Sequence, residues 1–179
     1  MDTNPDIVRH WYPVRVTYSR ELKVRDILQA SGHECFVPMT LKTEEKNGVK
    51  VGRTVPAVNN LCFVKAARPE LDEDLARLGL RSFTSYIWNR STREPLVVPD
   101  KAMDDFIKVS ESNYKDIVYL YEVNSKLREG RMVRVKRGPF AGIEGRVVRV
   151  RRSRRIMVEL PGIFAVATGY IPEEDLELV

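Results

Sequence analysis

Residues 130–145 read Gly130-Arg131-Met132-Val133-Arg134-Val135-Lys136-Arg137-Gly138-Pro139-Phe140-Ala141-Gly142-Ile143-Glu144-Gly145. Val133 and Val135 alternate with basic residues, the pattern of a half-buried strand. Gly138-Pro139 and Gly142 then permit a tight reversal, and Phe140 gives that turn an apolar anchor. Gly145 opens a second alternating run, Arg146-Val147-Val148-Arg149-Val150. Outward from this unit, Ile156–Leu160 and Ala165–Ala167 read as two further strands at close spacing. Short strands in so short a segment close most economically as a small SH3-like β-barrel, which leaves little exposed edge.

Upstream the periodicity is mixed. Tyr12, Val14, Val16 and Tyr18 share one face of an alternating segment, and Val24, Ile27 and Leu28 follow at helical spacing. Ser19 is placed to cap that helix and Gly32 to end it. Glu34–Pro38 reads as a strand, and Asn47-Gly48 marks a two-residue hairpin between Leu41–Lys46 and Val49–Val55. Leu61–Val64 is a buried strand. Pro69 opens a helix with Leu71, Leu75 and Leu78 on one stripe, and Phe83–Trp88 is another strand. Asp100 caps a helix that turns Met103, Phe106 and Ile107 inward. The order βαββαβ, interrupted by the hairpin, predicts an α+β chain. Its first domain is ferredoxin-like, an antiparallel sheet with helices on one face, over 1–112. Residues 113–127 form a linker in which 117–121 has strand character, and 128–179 form the barrel.

The chain has 179 residues, 43% of them hydrophobic, and a formal charge of +5. That length allows one ordinary domain or two small ones, and the composition excludes wholesale disorder. No run approaches the roughly 18 apolar residues of a membrane span. The polar start Met1–Asp6 is unlike a secretory signal. Cys35 and Cys62 make neither a disulfide framework nor a zinc site. A cytoplasmic, monomeric protein without metal or cofactor is expected. The charge is local: residues 126–155 carry 12 basic side chains against two acids, while 156–179 carry five acids and no base. Such a block attracts polyanions, above all nucleic acid; its bland alternative is a solvated strand face.

The glycine pattern with Gly138, Pro139, Phe140, Gly142 and Gly145 resembles a KOW motif. Trp11-Tyr12, the helix after Tyr18, Phe36-Val37-Pro38, the hairpin and Phe63-Val64 resemble the NGN domain of the NusG family, so the likeness spans nearly the whole chain. Arg15-Val16-x-Tyr18-Ser19 and Leu160-Pro161-Gly162 are most similar to the UpxY-type antiterminators of capsular polysaccharide operons. The resemblance implies a transcription elongation or antitermination factor that binds the clamp helices of RNA polymerase and suppresses pausing or termination. By position, Arg15, Val58, Leu61, Phe63 and Tyr86 match the polymerase-binding surface. Ile163 and Phe164 match a KOW loop that contacts a small-subunit ribosomal protein. Two positions depart from the family: Asn60-Leu61 stands where an aromatic Gly-Tyr or Asn-Tyr is usual, and Val166 where an Arg is frequent.

From the residues themselves, Lys42, Lys46, Lys50 and Arg53 on the hairpin and Arg151, Arg152, Arg154 and Arg155 near a turn are candidates for phosphate contact with nontemplate DNA or nascent RNA. Solvated arms are the competing reading for the hairpin. Core packing competes for Val58, Leu61 and Phe63, and a buried apolar turn for Ile163 and Phe164. No Walker loop, G-x-S-x-G or H-E-x-x-H motif is present, His10 and His33 lack partner ligands, and Asp104-Asp105 diverge on a helix. An enzyme is therefore not expected. A KOW-containing RNA-binding protein of the ribosome or of RNA processing is the alternative. A ferredoxin-like hydrolase such as an acylphosphatase lacks its phosphate cradle here.

Overall fold

The computed structural model describes residues 7–112 and 116–179. The polar segment Met1–Asp6 and the part of the expected linker at 113–115 lie outside the described residues. Two compact units divide at Pro99 and Asp100.

In the first unit β1 (His10–Val16), α1 (Glu21–Ala30), β2 (Glu34–Phe36), β3 (Met39–Lys46), β4 (Val49–Pro56), β5 (Leu61–Ala66), α2 (Arg68–Arg77) and β6 (Thr84–Tyr86) follow the expected order. β2, β5, β1 and β6 pair in that spatial order, all antiparallel, which is the ferredoxin-like arrangement. One sheet face holds Tyr12, Val14, Val16, Cys62 and Val64 against Val24 and Leu28 of α1 and Leu71 and Leu75 of α2. β3 and β4 form a separate two-stranded ribbon, closed by Asn47 at φ 55° and Gly48 at φ 77°. Both central residues sit in the left-handed region, as a type I′ hairpin turn requires.

One local expectation fails. Ser19 does not cap α1; the N-cap is Arg20, with no side-chain cap bond. Ser19 itself lies at φ 51°, its backbone N–H donating to Asn60 Oδ1 at 3.1 Å. A tertiary partner holds the residue out of the capping conformation.

The second unit contains α3 (Asp100–Ser110), β7 (Val118–Leu120), α4 (Ser125–Arg128), β8 (Met132–Val135), β9 (Glu144–Val150), β10 (Ser153–Leu160), β11 (Phe164–Ala167) and β12 (Leu176–Leu178). Its strands form one antiparallel sheet in the order β12-β8-β9-β10-β11-β7. α3 and β7 thus lie with this unit rather than in the first domain and the linker, where the sequence placed them. Met103, Phe106 and Val109 of α3 are buried, and β7 pairs with β11. Asp105 accepts from Lys101 Nζ at 2.6 Å and from the Glu144 backbone N–H at 3.1 Å. Lys108 Nζ donates to the Ala141 carbonyl.

The glycines around the β8–β9 turn have separable reasons. Gly138 and Gly142 both adopt φ 85°, while Gly145 is buried so tightly that a Cβ would meet the Met157 carbonyl oxygen at 2.4 Å. Phe140 is 4% exposed and anchors the turn as expected.

Candidate functional site

Strand register decides which candidates share a surface. Opposite residues point to the same side. Arg15 faces both Leu61 and Ser85, Pro13 faces Phe63, Phe36 faces Phe63, and Trp11 faces Lys65. The sheet side away from the helices therefore gathers Trp11, Pro13, Phe36, Leu61 and Phe63, with Arg15 and Lys65 at its ends. Arg15 is exposed. Leu61 is 4% and Phe63 0% exposed, so the apolar strip is withdrawn from solvent in this structure. Val58, on the connection into β5, is buried as well. Trp11 and Phe36 entered the sequence analysis only as carriers of the family resemblance and were not placed on this surface, although alternation from Phe63 through the two neighbouring strands would have put them there.

Tyr86 does not join this group. It lies opposite Val14, on the helix-covered side, with its ring edge-on to Tyr12 at 5.7 Å. Its hydroxyl donates to Asp72 Oδ1 of α2 at 2.8 Å. Burial, and then the Asp72 carboxylate, push its pKa well above the usual phenol range. It is a packing residue that ties β6 to α2.

The hairpin bases divide in the same way. Lys42 lies directly across from Arg53. By alternation Lys46 shares their side, and Lys50, opposite Glu45, lies on the other. Glu44 sits between Lys42 and Arg53 at 3.7 and 3.8 Å. These are loose ion pairs between exposed groups, worth little to stability.

Four arginines of the basic block of the second unit are ion-paired, mostly with acids of the segment that follows it. Arg128 pairs with Glu159, Arg134 with Glu144 and Glu177, Arg137 with Asp175 and Arg154 with Glu173. β12, which the sequence reading missed, brings Glu177 to β8 by pairing with it. Arg151 and Arg152 form the β9–β10 turn at φ 50° and 64°, in the left-handed region that β-carbon-bearing residues avoid. Both are exposed, as is Arg149. No ion pair joins these three among the described residues.

Arg155 has a different role. It is 6% exposed, and its guanidinium donates to the carbonyls of Thr168 at 2.8 Å, Val150 at 3.3 Å and Asp116. Strand parity turns it inward, so the phosphate-contact candidates reduce to Arg151, Arg152 and Arg154.

Phe164 is also buried, at 3% exposure, and lies on β11 rather than in a loop. Its ring meets Phe106 of α3 edge-on at 5.4 Å and is flanked by Tyr119 at 6.1 Å. Ile163, in the turn before it, is half-buried. Among the described residues, no group of three or more His, Cys, Asp or Glu is placed to hold a metal ion. None of their helices is long and apolar enough to cross a membrane.

The family described as "Transcription termination factor nusG" matches residues 9–107, and the KOW motif matches residues 129–159. No curated protein matches the chain by sequence. Among solved structures, Thermotoga maritima NusG ("Domain interaction in Thermotoga maritima NusG") is similar at 18% identity and TM-score 0.48, over 96% of this chain and 97% of that one.

Proposed function

We propose, from the premise that this chain belongs to the NusG family of transcription factors, that it docks on the clamp helices of RNA polymerase and suppresses pausing or termination. The observation that carries this reading is the apolar strip Trp11-Pro13-Leu61-Phe63 on the sheet side away from the helices, with exposed Arg15 at its end. Apolar anchors flanked by an arginine are the composition of an interface centre. Leu61 and Phe63 are withdrawn from solvent, so docking requires that they be uncovered. The fraction of molecules in which they are exposed scales the apparent affinity.

The chemistry is that of binding alone. A factor with higher affinity for the closed than for the open clamp shifts that equilibrium by the difference. A coupling of about 1–3 kcal/mol changes a pause equilibrium roughly 5–150-fold. Lys42, Lys46 and Arg53 on one ribbon side, and Arg151 and Arg152 at the β9–β10 turn, supply phosphate contacts to nontemplate DNA or nascent RNA. The Arg15-Val16-x-Tyr18-Ser19 and Leu160-Pro161-Gly162 segments favour an operon-specific, UpxY-like role in a cytoplasmic monomer. A ribosomal partner at Ile163 and Phe164 requires α3 to leave Phe164.

General RNA binding through the sheet is disfavoured. Such a surface presents several aromatics on its central strands for base stacking, whereas Tyr12 of β1 lies on the helix-covered side and Phe63 is the one aromatic of β5. Transcription in vitro across an intrinsic terminator tests the reading. Read-through rises with added protein when polymerase and cognate leader are present; unchanged termination contradicts it.

A further inference from the structure

Between the end of the β9–β10 hairpin and the segment 170–174 that follows β11 lies a pocket of about 510 Å³. That volume falls within the range of small-ligand sites, roughly 300–1,000 Å³. The hairpin contributes Arg149, Arg152 and Arg154 to its lining, and the segment contributes Tyr170, Pro172, Glu173 and Glu174.

Two features of the hairpin run against local preference. Arg151 and Arg152 occupy a two-residue turn between the paired Val150 and Ser153, at φ 50° and 64°. A type I′ turn requires positive φ at both central residues and favours Asn-Gly, the pair that this chain does use at its other ribbon tip, Asn47-Gly48. Below the turn, Arg149 stands directly across from Arg154, and like charges so placed repel. Glu173 offsets Arg154 at 2.7 Å, whereas Arg149 and Arg152 are exposed and have no ion pair among the described residues. Departures from local rules concentrate at functional sites. Here they gather two unpaired cations at one pocket.

The segment across from them is firmly seated. Ile171 is 5% exposed. The buried Thr168 hydroxyl accepts from the Ile156 N–H at 3.0 Å and donates to the Gly169 carbonyl at 2.8 Å. Tyr170, between these anchors, is nonetheless 64% exposed. A fixed backbone holds an aromatic ring out to solvent beside the arginines.

Charge selects the occupant. Arg149 and Arg152 suit phosphate, and Tyr170 suits a flat base. Glu173 and Glu174, with Asp175 next in sequence, repel further phosphate and accept from hydroxyls instead. A nucleic-acid strand carries phosphate on both sides of each nucleoside, so threading it through the pocket sets one phosphate against these carboxylates. A free nucleoside 5′-polyphosphate has all its charge at one end and two ribose hydroxyls at the other.

We propose that this pocket binds a free nucleoside 5′-diphosphate or 5′-triphosphate, its phosphates on Arg149 and Arg152, its base against Tyr170 and its ribose hydroxyls toward Glu174. The site goes beyond polymerase docking and does not depend on it. It shares Arg152 with the phosphate contacts proposed above, so a bound nucleotide competes with a strand at the turn.

Isothermal titration calorimetry of the full chain with ADP, AMP and adenosine 3′,5′-bisphosphate, without divalent cations, tests it. ADP is expected to bind saturably and at least about fivefold more tightly than AMP, whose single phosphate makes fewer charge-assisted bonds. It is also expected to bind at least about fivefold more tightly than the bisphosphate, which carries no less charge but sets a 3′-phosphate against the carboxylates. Arg149→Gln and Tyr170→Ala, both at exposed positions, are each expected to weaken ADP at least about fivefold, the low end for a charge-assisted bond or a stacked base. Melting temperatures are expected to hold. Bisphosphate binding as tight as that of ADP overturns the free nucleotide in favour of a strand, and ADP binding untouched by both substitutions overturns the placement. No saturable binding of ADP overturns the site altogether, while salt-dependent binding of a single strand by the same preparation leaves the phosphate contacts of the turn standing.

Discussion

The ring of Phe106, on α3, stands edge-on to that of Phe164, on β11, with centroids 5.4 Å apart and planes at 72°. Phe106 lies within the NusG-family match at 9–107, whereas Phe164 lies beyond the KOW match at 129–159. Phe106 is 0% exposed, so α3 is a structural part of the second unit. Truncating Phe106 to Ala is expected to cost about 3–5 kcal/mol, as aromatic deletions in a core do. Urea denaturation followed by tryptophan-independent circular dichroism measures this. A change below 1 kcal/mol would mean that α3 is not packed on the sheet in solution.

The basic turn separates two kinds of arginine. Arg151→Gln with Arg152→Gln is expected to reduce the slope of log affinity against log salt for single strands by about one to two, since each phosphate contact contributes about 0.7–0.9. Thermal stability is expected to hold, because both side chains are exposed. Arg155→Gln is expected to do the opposite. It leaves the Thr168 carbonyl without a charged donor and lowers the melting temperature, with the salt slope retained.

Cys62 is expected to be inert. A hydrogen bond with Cys35, together with burial, pushes its thiol well above the usual range, and its exposure is 0%. Since the thiolate is the reacting form, a disulfide reagent at pH 8 should label Cys62 only on the unfolding timescale. Cys35, half-buried, should react faster. Mass spectrometry of the labelled peptides distinguishes the two.

Asp74 binds α2 to the turn after α1. Arg77 donates to its Oδ1, and His33 lies 2.8 Å from its Oδ2. Chiefly through Arg77, and then through His33, its carboxyl is held below the usual range. A lowered folded-state pKa means that the stabilisation is fully present above the unfolded value near about 3.9. It is lost as pH falls through the lower folded value. Asp74→Asn should therefore destabilise the protein by about 1–3 kcal/mol at neutral pH and flatten the acid limb of its stability profile. Melting temperatures measured between pH 2 and 7 check this.

Much of the fold was legible because its signals are local. β1 shows its period of two, α1 its apolar spacing, and the ribbon its Asn47-Gly48 turn. What escaped depends on register or on distant partners. Tyr86 was grouped with Leu61 and Phe63 by position, but pairing with Val14 places it on the opposite face, and a shift of one residue reverses a side chain's direction. The run Arg151–Arg155 reads as one basic cluster in sequence, yet parity beyond the turn sends Arg155 inward. Ser19 has the chemistry of a cap, and Asn60, 41 positions away, takes it elsewhere. β12 and α4 span three and four residues, too short for periodicity to register. Asn124, whose side chain accepts from the Leu127 N–H, was the one cue to α4. The pairing of acidic with basic segments was equally hidden, because net charge by segment does not say which segments become neighbouring strands.

Titration of the labelled full chain against purified RNA polymerase elongation complexes is the decisive measurement. Saturable binding is predicted, weakened at least about fivefold by Arg15→Glu, which reverses an exposed charge at the end of the apolar strip without disturbing a buried side chain. Failure of the unmodified protein to bind the complexes at any concentration would contradict polymerase docking outright, and equal binding by Arg15→Glu would place it on another surface.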